Sequence, residues 1–219
     1  EYGIRGNATY ISRTIENSAK HENLPKTDLQ RFLADFYQEG KTPYMPQLKQ
    51  MSKEKMEVGG VYLISNGKIA DYINTNEMFF FKLLVDRSGH GIHKVEIEEG
   101  KAAIRNIQHK HTFKLVNNDP YHISVHIKIN GSINEFTGNV LKQEYIDKME
   151  KKLEKEINEK CMELINRFKE KELDPVGFGH FAKSKTRHFD QDEWKNVLYK
   201  DLKVTVHSDV KIIQAGVIE

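Results

Sequence analysis

The stretch YHISVHIKIN, residues 121–130, decides the fold: Tyr121, Ile123, Val125, Ile127 and Ile129 alternate strictly with His122, Ser124, His126, Lys128 and Asn130. A period of two places the first set on one face of a strand and the second on the other, so this strand has a dry side and a wet side. The dry side needs a cover. Downstream, Tyr145, Ile146, Met149, Leu153, Ile157, Cys161, Leu164, Ile165 and Phe168 recur at the helical period, with Lys and Glu elsewhere, and predict a helix over about 140–171 that lies across it. Upstream, residues 92–98 and 101–116 read as two further strands, and Asn117-Asn118-Asp119-Pro120 as the turn that leads into 121–130. Leu202, Val204 and Val206 alternate with Lys203, Thr205 and His207, so a last strand can join the same sheet.

Residues before 87 read as a smaller unit. Tyr10, Ile11, Thr14, Ile15 and Ser18 fall at helical spacing. After Leu24-Pro25, Thr27-Asp28-Leu29-Gln30 reads as a capping box that opens a second helix, whose Leu29, Phe32, Leu33 and Phe36 form an apolar stripe ended by Gly40. Strands at about 57–65 and 67–72 flank Asn66-Gly67, a dipeptide suited to the positive φ angles of a type I′ hairpin turn. Asn74, with Glu77 three residues on, caps a helix that buries Met78, Phe81, Leu84 and Val85. Arg87-Ser88-Gly89-His90-Gly91 reads as a linker. The expected architecture is α+β in two domains, 1–88 and 89–219, each a mainly antiparallel sheet with helices on one face.

Composition excludes several classes. The formal charge of +2, from 34 basic and 32 acidic side chains, argues against a nucleic-acid binder driven by bulk charge. Cys161 is the single cysteine, so neither an internal disulfide nor a multi-cysteine zinc site is possible. The longest apolar run, residues 78–85, is broken by Lys82 and is far shorter than the ~20 residues a membrane-crossing helix needs. A start at Glu1, without Met, a basic segment or an apolar segment, is what a processed chain or a piece of a longer protein would show.

No residue set reads as a catalytic centre. His109 and His111 share parity with Phe113 and Leu115, whereas His122 and His126 fall opposite Ile123 and Val125, so the two pairs point to different faces and are expected to be exposed polar-face histidines, not zinc or nickel ligands. Cys161 lies on the apolar stripe of its helix, where burial disfavours the thiolate. Glu96 and Glu98 alternate with Val95 and Ile97 and read as a solvated face. Gly177-Phe178-Gly179 follows a helix and lacks both the third glycine and the Lys-Ser or Lys-Thr ending of a phosphate loop. It reads as a helix stop, with Pro175 ending the helix and Phe178 plugging back into the core. No cofactor or metal is expected.

The order Asp174-Pro175-Val176-Gly177-Phe178-Gly179, then Trp194, then a terminal strand closing on Gly216, resembles the C-terminal region of the Ger(x)C spore-germination lipoproteins. Pro46-Gln47-Leu48, Gly59-Gly60-Val61-Tyr62, Asn66-Gly67-Lys68-Ile69 and Asn74-Thr75-Asn76-Glu77 match further pieces of that pattern in order. His180 and Phe181 after the glycines, and Val176, depart from it. The resemblance implies the second and third domains of the C subunit of a nutrient germinant receptor. It implies a non-enzymatic protein, tethered through an upstream lipid-bearing cysteine to the outer face of the spore inner membrane, with integral-membrane A and B subunits as partners and no nucleic acid. Asp174, Gly177, Phe178, Gly179, Trp194 and Gly216 are then expected to be fold determinants. A germinant molecule held in the cleft between residues 1–88 and 89–219 is the alternative reading.

Overall fold

A computed structural model describes residues 4–38, 40–52, 56–138 and 140–214. The chain opens with helices α1 (Ile4–His21) and α2 (Leu29–Tyr37), followed by strands β1 (Tyr44–Gln50), β2 (Met56–Ser65) and β3 (Lys68–Asn74), then helix α3 (Met78–Val85). Strands β4 (Ser88–Ile97), β5 (Gly100–Asn118) and β6 (Tyr121–Phe136) lead to helices α4 (Gln143–Glu170) and α5 (Phe178–Lys185). A short α6 (Gln191–Glu193) runs through a π-helical turn, Trp194–Leu198, into α7 (Tyr199–Asp201), and β7 (Lys203–Gln214) ends the described chain. The architecture is α+β, as the alternation of residues 121–130 requires.

Strands β1-β2-β3 form one antiparallel sheet and β4-β5-β6-β7 the other. In the second, β4, β5 and β6 are antiparallel neighbours, while β7 pairs with β6 in parallel from His122–Lys203 to Ile133–Gln214. A parallel neighbour needs a crossover, and α4 through α7 supply it. The dry face carries Ile123, Val125, Ile127 and Ile129 of β6 beside Val204, Val206, Val210 and Ile212 of β7, all buried. The predicted stripe of α4 covers it, from Ile146 to Phe168, with Tyr145 only partly buried. Burying one such Leu or Ile contributes roughly 1.5–3 kcal/mol. The other face of the sheet carries His126, Lys128 and Asn130 into solvent.

Side chains cap backbone groups on both outer strands of the second sheet. On β7, the N–H groups of Val210 and Ile212 donate to Glu154 Oε1 (3.0 Å) and Glu150 Oε1 (2.7 Å) of α4. On β4, Ile92 sits at a bulge opposite β5, and the Asn23 amide takes both its N–H (3.0 Å) and its carbonyl (2.9 Å).

Four expectations need correction. Residues 88–91 are not a loop but the first residues of β4, paired with residues 107–110. The second helix is capped by Asp28, whose carboxylate accepts Arg31 N–H at 2.7 Å, while the Thr27 hydroxyl instead donates to Tyr44 O. Its apolar stripe faces outward, with Leu29 at 73%, Leu33 at 41% and Phe36 at 43% exposure, and the buried residue of α2 is Asp35, paired with Lys41 at 2.8 Å. Finally, α3 is buried all round rather than on one face, including Lys82 at 1% exposure. Its ammonium donates to Ala19 O (2.9 Å) and Glu22 O (2.8 Å), which satisfies carbonyls at the C-terminal end of α1 where a cation is favoured. Asn74 and Glu77 do bond reciprocally ahead of α3, with Asn74 Oδ1 accepting Glu77 N–H and Glu77 Oε2 accepting Asn74 N–H.

Candidate functional site

Helix α4 ends in a Schellman motif. Glu172 adopts φ +56°, its N–H bonds to Lys169 O, and the Leu173 N–H reaches back to Phe168 O at 2.9 Å. Leu173 and Phe168 are both buried, which supplies the apolar contact that accompanies this stop. The chain then turns at Asp174. Its carboxylate accepts three backbone N–H bonds, Oδ1 from Gly177 (2.8 Å) and Phe178 (3.0 Å) and Oδ2 from Gly179 (2.7 Å). These are donors that the start of α5 would otherwise leave orphaned. Gly177 stands at φ +85°, a conformation that favours glycine. Gly-Phe-Gly is therefore a helix start as well as the sequel of a helix stop, which sequence reading missed.

The same Asp174 joins the two halves of the chain. Its carbonyl accepts Thr42 N–H at 2.8 Å and its N–H donates to Thr42 Oγ1 at 2.8 Å. Trp194 is 2% exposed and packs edge-on against Tyr121, with Phe189 and Tyr199 also against it. Gly179 exists because of this ring: a Cβ there would lie 2.7 Å from Trp194 Nε1 and 3.2 Å from Gly40 O. Phe178 fills the core beside Phe113. The Tyr199 hydroxyl donates to Leu173 O at 2.5 Å. Asp174, Gly177, Phe178, Gly179 and Trp194 thus gather at one junction, while Gly216 lies outside the described residues.

Burial pushes the Asp174 carboxyl up to about 6, against the three N–H donors and Lys41, which hold it down. Burial and the Asp174 charge together raise the Tyr199 phenol well above its ordinary value. Above the junction lies a groove of about 350 Å³ whose walls include Phe36, Lys41, Thr42, Asp192, Trp194 and Lys195. It runs between the α2–β1 connection, the β2–β3 turn and the helical segment after α5. Thr42 and Lys41 carried no motif, and only the fold brings them here. A second cavity, about 380 Å³ between α3 and α4, holds charges that pair with one another: Arg167 with Glu77 at 2.7 Å and Lys160 with Glu163 at 2.7 Å.

The histidines correct one expectation. His109 and His111 do face away from His122 and His126, but they are buried at 3% and 7% exposure rather than exposed. His109 Nε2 donates to Asp86 O (3.1 Å) and His111 Nδ1 to Leu83 O (2.9 Å), so both tie β5 to the end of α3. Burial lowers the His109 imidazole to about 4 and also lowers His111, and both stay neutral. Gly89 makes room for the first, since a Cβ there would meet His109 Cε1 at 2.9 Å. Among the described residues no cluster of three His, Cys, Asp or Glu could hold a metal ion. Cys161 is fully buried, and desolvation raises its thiol. No helix among the described residues is long and apolar enough to cross a membrane.

Comparison with known proteins points to spore germination proteins. A family model described as "Spore germination B3/ GerAC like, C-terminal" matches residues 59–216, and one described as "Spore germination protein N-terminal domain" matches residues 3–50. The chain is 31% identical over 218 residues to the spore germination protein GerQC of Bacillus cereus, covering 97% of this chain and 60% of that protein. The crystal structure of the GerBC protein superposes with a TM-score of 0.66 at 15% identity, covering 85% of this chain and 61% of that one, and so shares the fold. The chain thus spans about 60% of the length of these relatives. With a family model matched over residues 59–216 and 31% identity to a spore germination protein over 218 residues, the chain belongs to the spore germination B3/GerAC-like family.

Proposed function

We propose that this chain is part of a non-enzymatic subunit of a spore nutrient germinant receptor that acts through protein contacts with membrane-embedded A and B subunits. The observation that carries this reading is α2. A helix whose Leu29, Leu33, Phe36 and Tyr37 all stand in solvent, beside a groove that Phe36 helps to wall, is what a protein-docking surface presents before its partner arrives. The family supports the receptor role. In the same reading the whole protein is held by a lipid anchor at the outer face of the spore inner membrane, residues 1–88 and 89–219 are its last two domains, and Asp174, Gly177, Phe178, Gly179 and Trp194 hold those domains in register. The test is co-purification of the A and B subunits from spores carrying Leu33→Glu with Phe36→Glu. Retention at the wild-type level, together with an unchanged germination response, overturns it.

A second reading has its own observation. The groove over Asp174 is bounded by both halves of the chain, and Gln191 Oε1 at its wall is buried with no hydrogen-bond partner among the described residues. A small germinant seated there would supply one. Calorimetric titration of the purified chain with germination-triggering nutrients decides this; absence of heat across the set removes it.

A further inference from the structure

The open face of the β4-β5-β6-β7 sheet is a cationic plane. Register places Lys94 of β4, Lys110 and Lys114 of β5, Lys128 of β6, and Lys203 and Lys211 of β7 on the side opposite α4, and all six are exposed. None of the six forms an ion pair with a carboxylate among the described residues. Asp209 stands among them as an exposed carboxylate, and the other acids of this face, Glu96 and Glu135, are already neutralised by Lys101 (3.1 Å) and Arg105 (3.2 Å). A chain of net charge +2 has therefore sorted its charge, with unpaired cations gathered on one face.

The arrangement opposes the stability of the sheet itself. Lys110 lies directly across from Lys128, and like charges at facing positions of antiparallel strands are destabilising. Asp209 of β7 is the carboxylate opposite Lys128 on its other side. His126 and His207 sit beside it, also directly opposite one another, with ring centroids 5.4 Å apart.

We infer that this face docks on an anionic phospholipid surface. Its shape favours that occupant. Four strands about 4.8 Å apart and some ten residues long give a plane roughly 15 Å by 30 Å. No groove among those described opens on it. The cations are lysines, compact point charges suited to a diffuse layer of headgroups, whereas a phosphopeptide or a nucleic acid is gripped by the planar fork of arginine. The one arginine of the face, Arg105, is engaged by Glu135. The face carries no Phe, Tyr or Trp on which bases could stack. This inference does not rest on the protein contacts proposed above, because the surface lies on the opposite side of the sheet from α4 and apart from the groove beside α2.

The experiment is sedimentation of the purified, unlipidated chain with protein-free vesicles of phosphatidylglycerol and phosphatidylcholine, against vesicles of phosphatidylcholine alone, at low and high salt. Binding is expected to the first and not to the second, and to fade with salt. Each lysine near an anionic membrane supports about a fivefold gain in partitioning, so Lys110→Gln with Lys114→Gln and Lys128→Gln should weaken binding by roughly 100-fold. Lys151→Gln with Lys155→Gln, exposed on α4, should leave it unchanged. Circular dichroism confirms that both variants keep the fold. Equal sedimentation with the two vesicle types, equal loss in the two variants, or binding to polyglutamate or duplex DNA in preference to the anionic vesicles would each overturn the inference. Because the vesicles contain no protein, failure here leaves the receptor-subunit reading standing, and failure of that reading leaves this one standing.

Discussion

Replacing Gly179 with alanine should destabilise the protein by about 2 kcal/mol, and the reason can be read atom by atom. The added methyl would lie 2.7 Å from Trp194 Nε1, closer than real Cβ contacts come, and 3.2 Å from Gly40 O on its other side. Neither neighbour is the free end of a flexible chain. The indole is fixed by Tyr121 at 5.1 Å, Phe189 at 5.4 Å and Tyr199 at 6.0 Å between ring centroids, and Gly40 O is backbone. Overpacking of a well-filled core costs about 1–3 kcal/mol, and a contact this close to rigid atoms puts the cost at the upper end, about 3 kcal/mol. From this, alanine returns up to about 1 kcal/mol of helix propensity in the first turn of α5. Gly177→Ala provides the comparison. Its Cβ meets only Lys41 side-chain carbons, at 3.4 Å and beyond, so the cost there is conformational, about 1 kcal/mol for a non-glycine residue at φ +85°. The assay reports from the junction itself, because Trp194 is the single tryptophan of the chain. Urea unfolding followed by its emission should rank wild type above Gly177→Ala above Gly179→Ala. The melting temperature of Gly179→Ala should fall by about 4–8 °C. A Gly179→Ala protein as stable as Gly177→Ala, with an unshifted native emission maximum, would refute the claim that this glycine exists to admit the indole.

Glu172→Gly should stabilise by about 0.5–1 kcal/mol, because glycine occupies the φ +56° position freely while the exposed Lys200 pair it gives up contributes little; equilibrium urea melts measure it. Burial lowers the Lys82 amine to about 8 from an unfolded value near 10.5. Between those values the unfolded chain binds the extra proton, so stability due to this group rises with pH across that window, by at most about 3 kcal/mol. Lys82→Met should abolish that rise relative to wild type and speed amide exchange at the end of α1, where Ala19 O and Glu22 O lose their donor. The Cys161 thiol should react with a disulfide reagent only as fast as the protein unfolds, since it is fully buried and its thiolate is disfavoured. A fast native-state reaction would contradict that.

Legibility followed periodicity. Residues 121–130 and the stripe from Ile146 to Phe168 share one dry interface, and a period of two against a period of 3.6 expresses such an interface directly. What the pattern hid was direction relative to a third body. The stripe of α2 has the same form as that of α4, yet it faces outward, because local spacing says that a helix has an apolar side and not what lies against it. The same limit applies to His109 and Lys82. Both are polar residues whose partners are backbone carbonyls of distant segments, and no side-chain motif announces a carbonyl. At the junction, Asp174 and the glycines were visible as a motif, but Thr42 was not, because its contact with Asp174 spans 132 positions of sequence.

Glutamates 150 and 154 on one margin, and Asn23 on the other, occupy backbone groups that an incoming strand would have used. Growth of this sheet by annexing a segment from another polypeptide is therefore blocked at these points on both outer strands. A partner that meets the four-stranded sheet at these points engages side chains rather than backbone, so its affinity and selectivity can be altered one residue at a time without disturbing the ladder beneath.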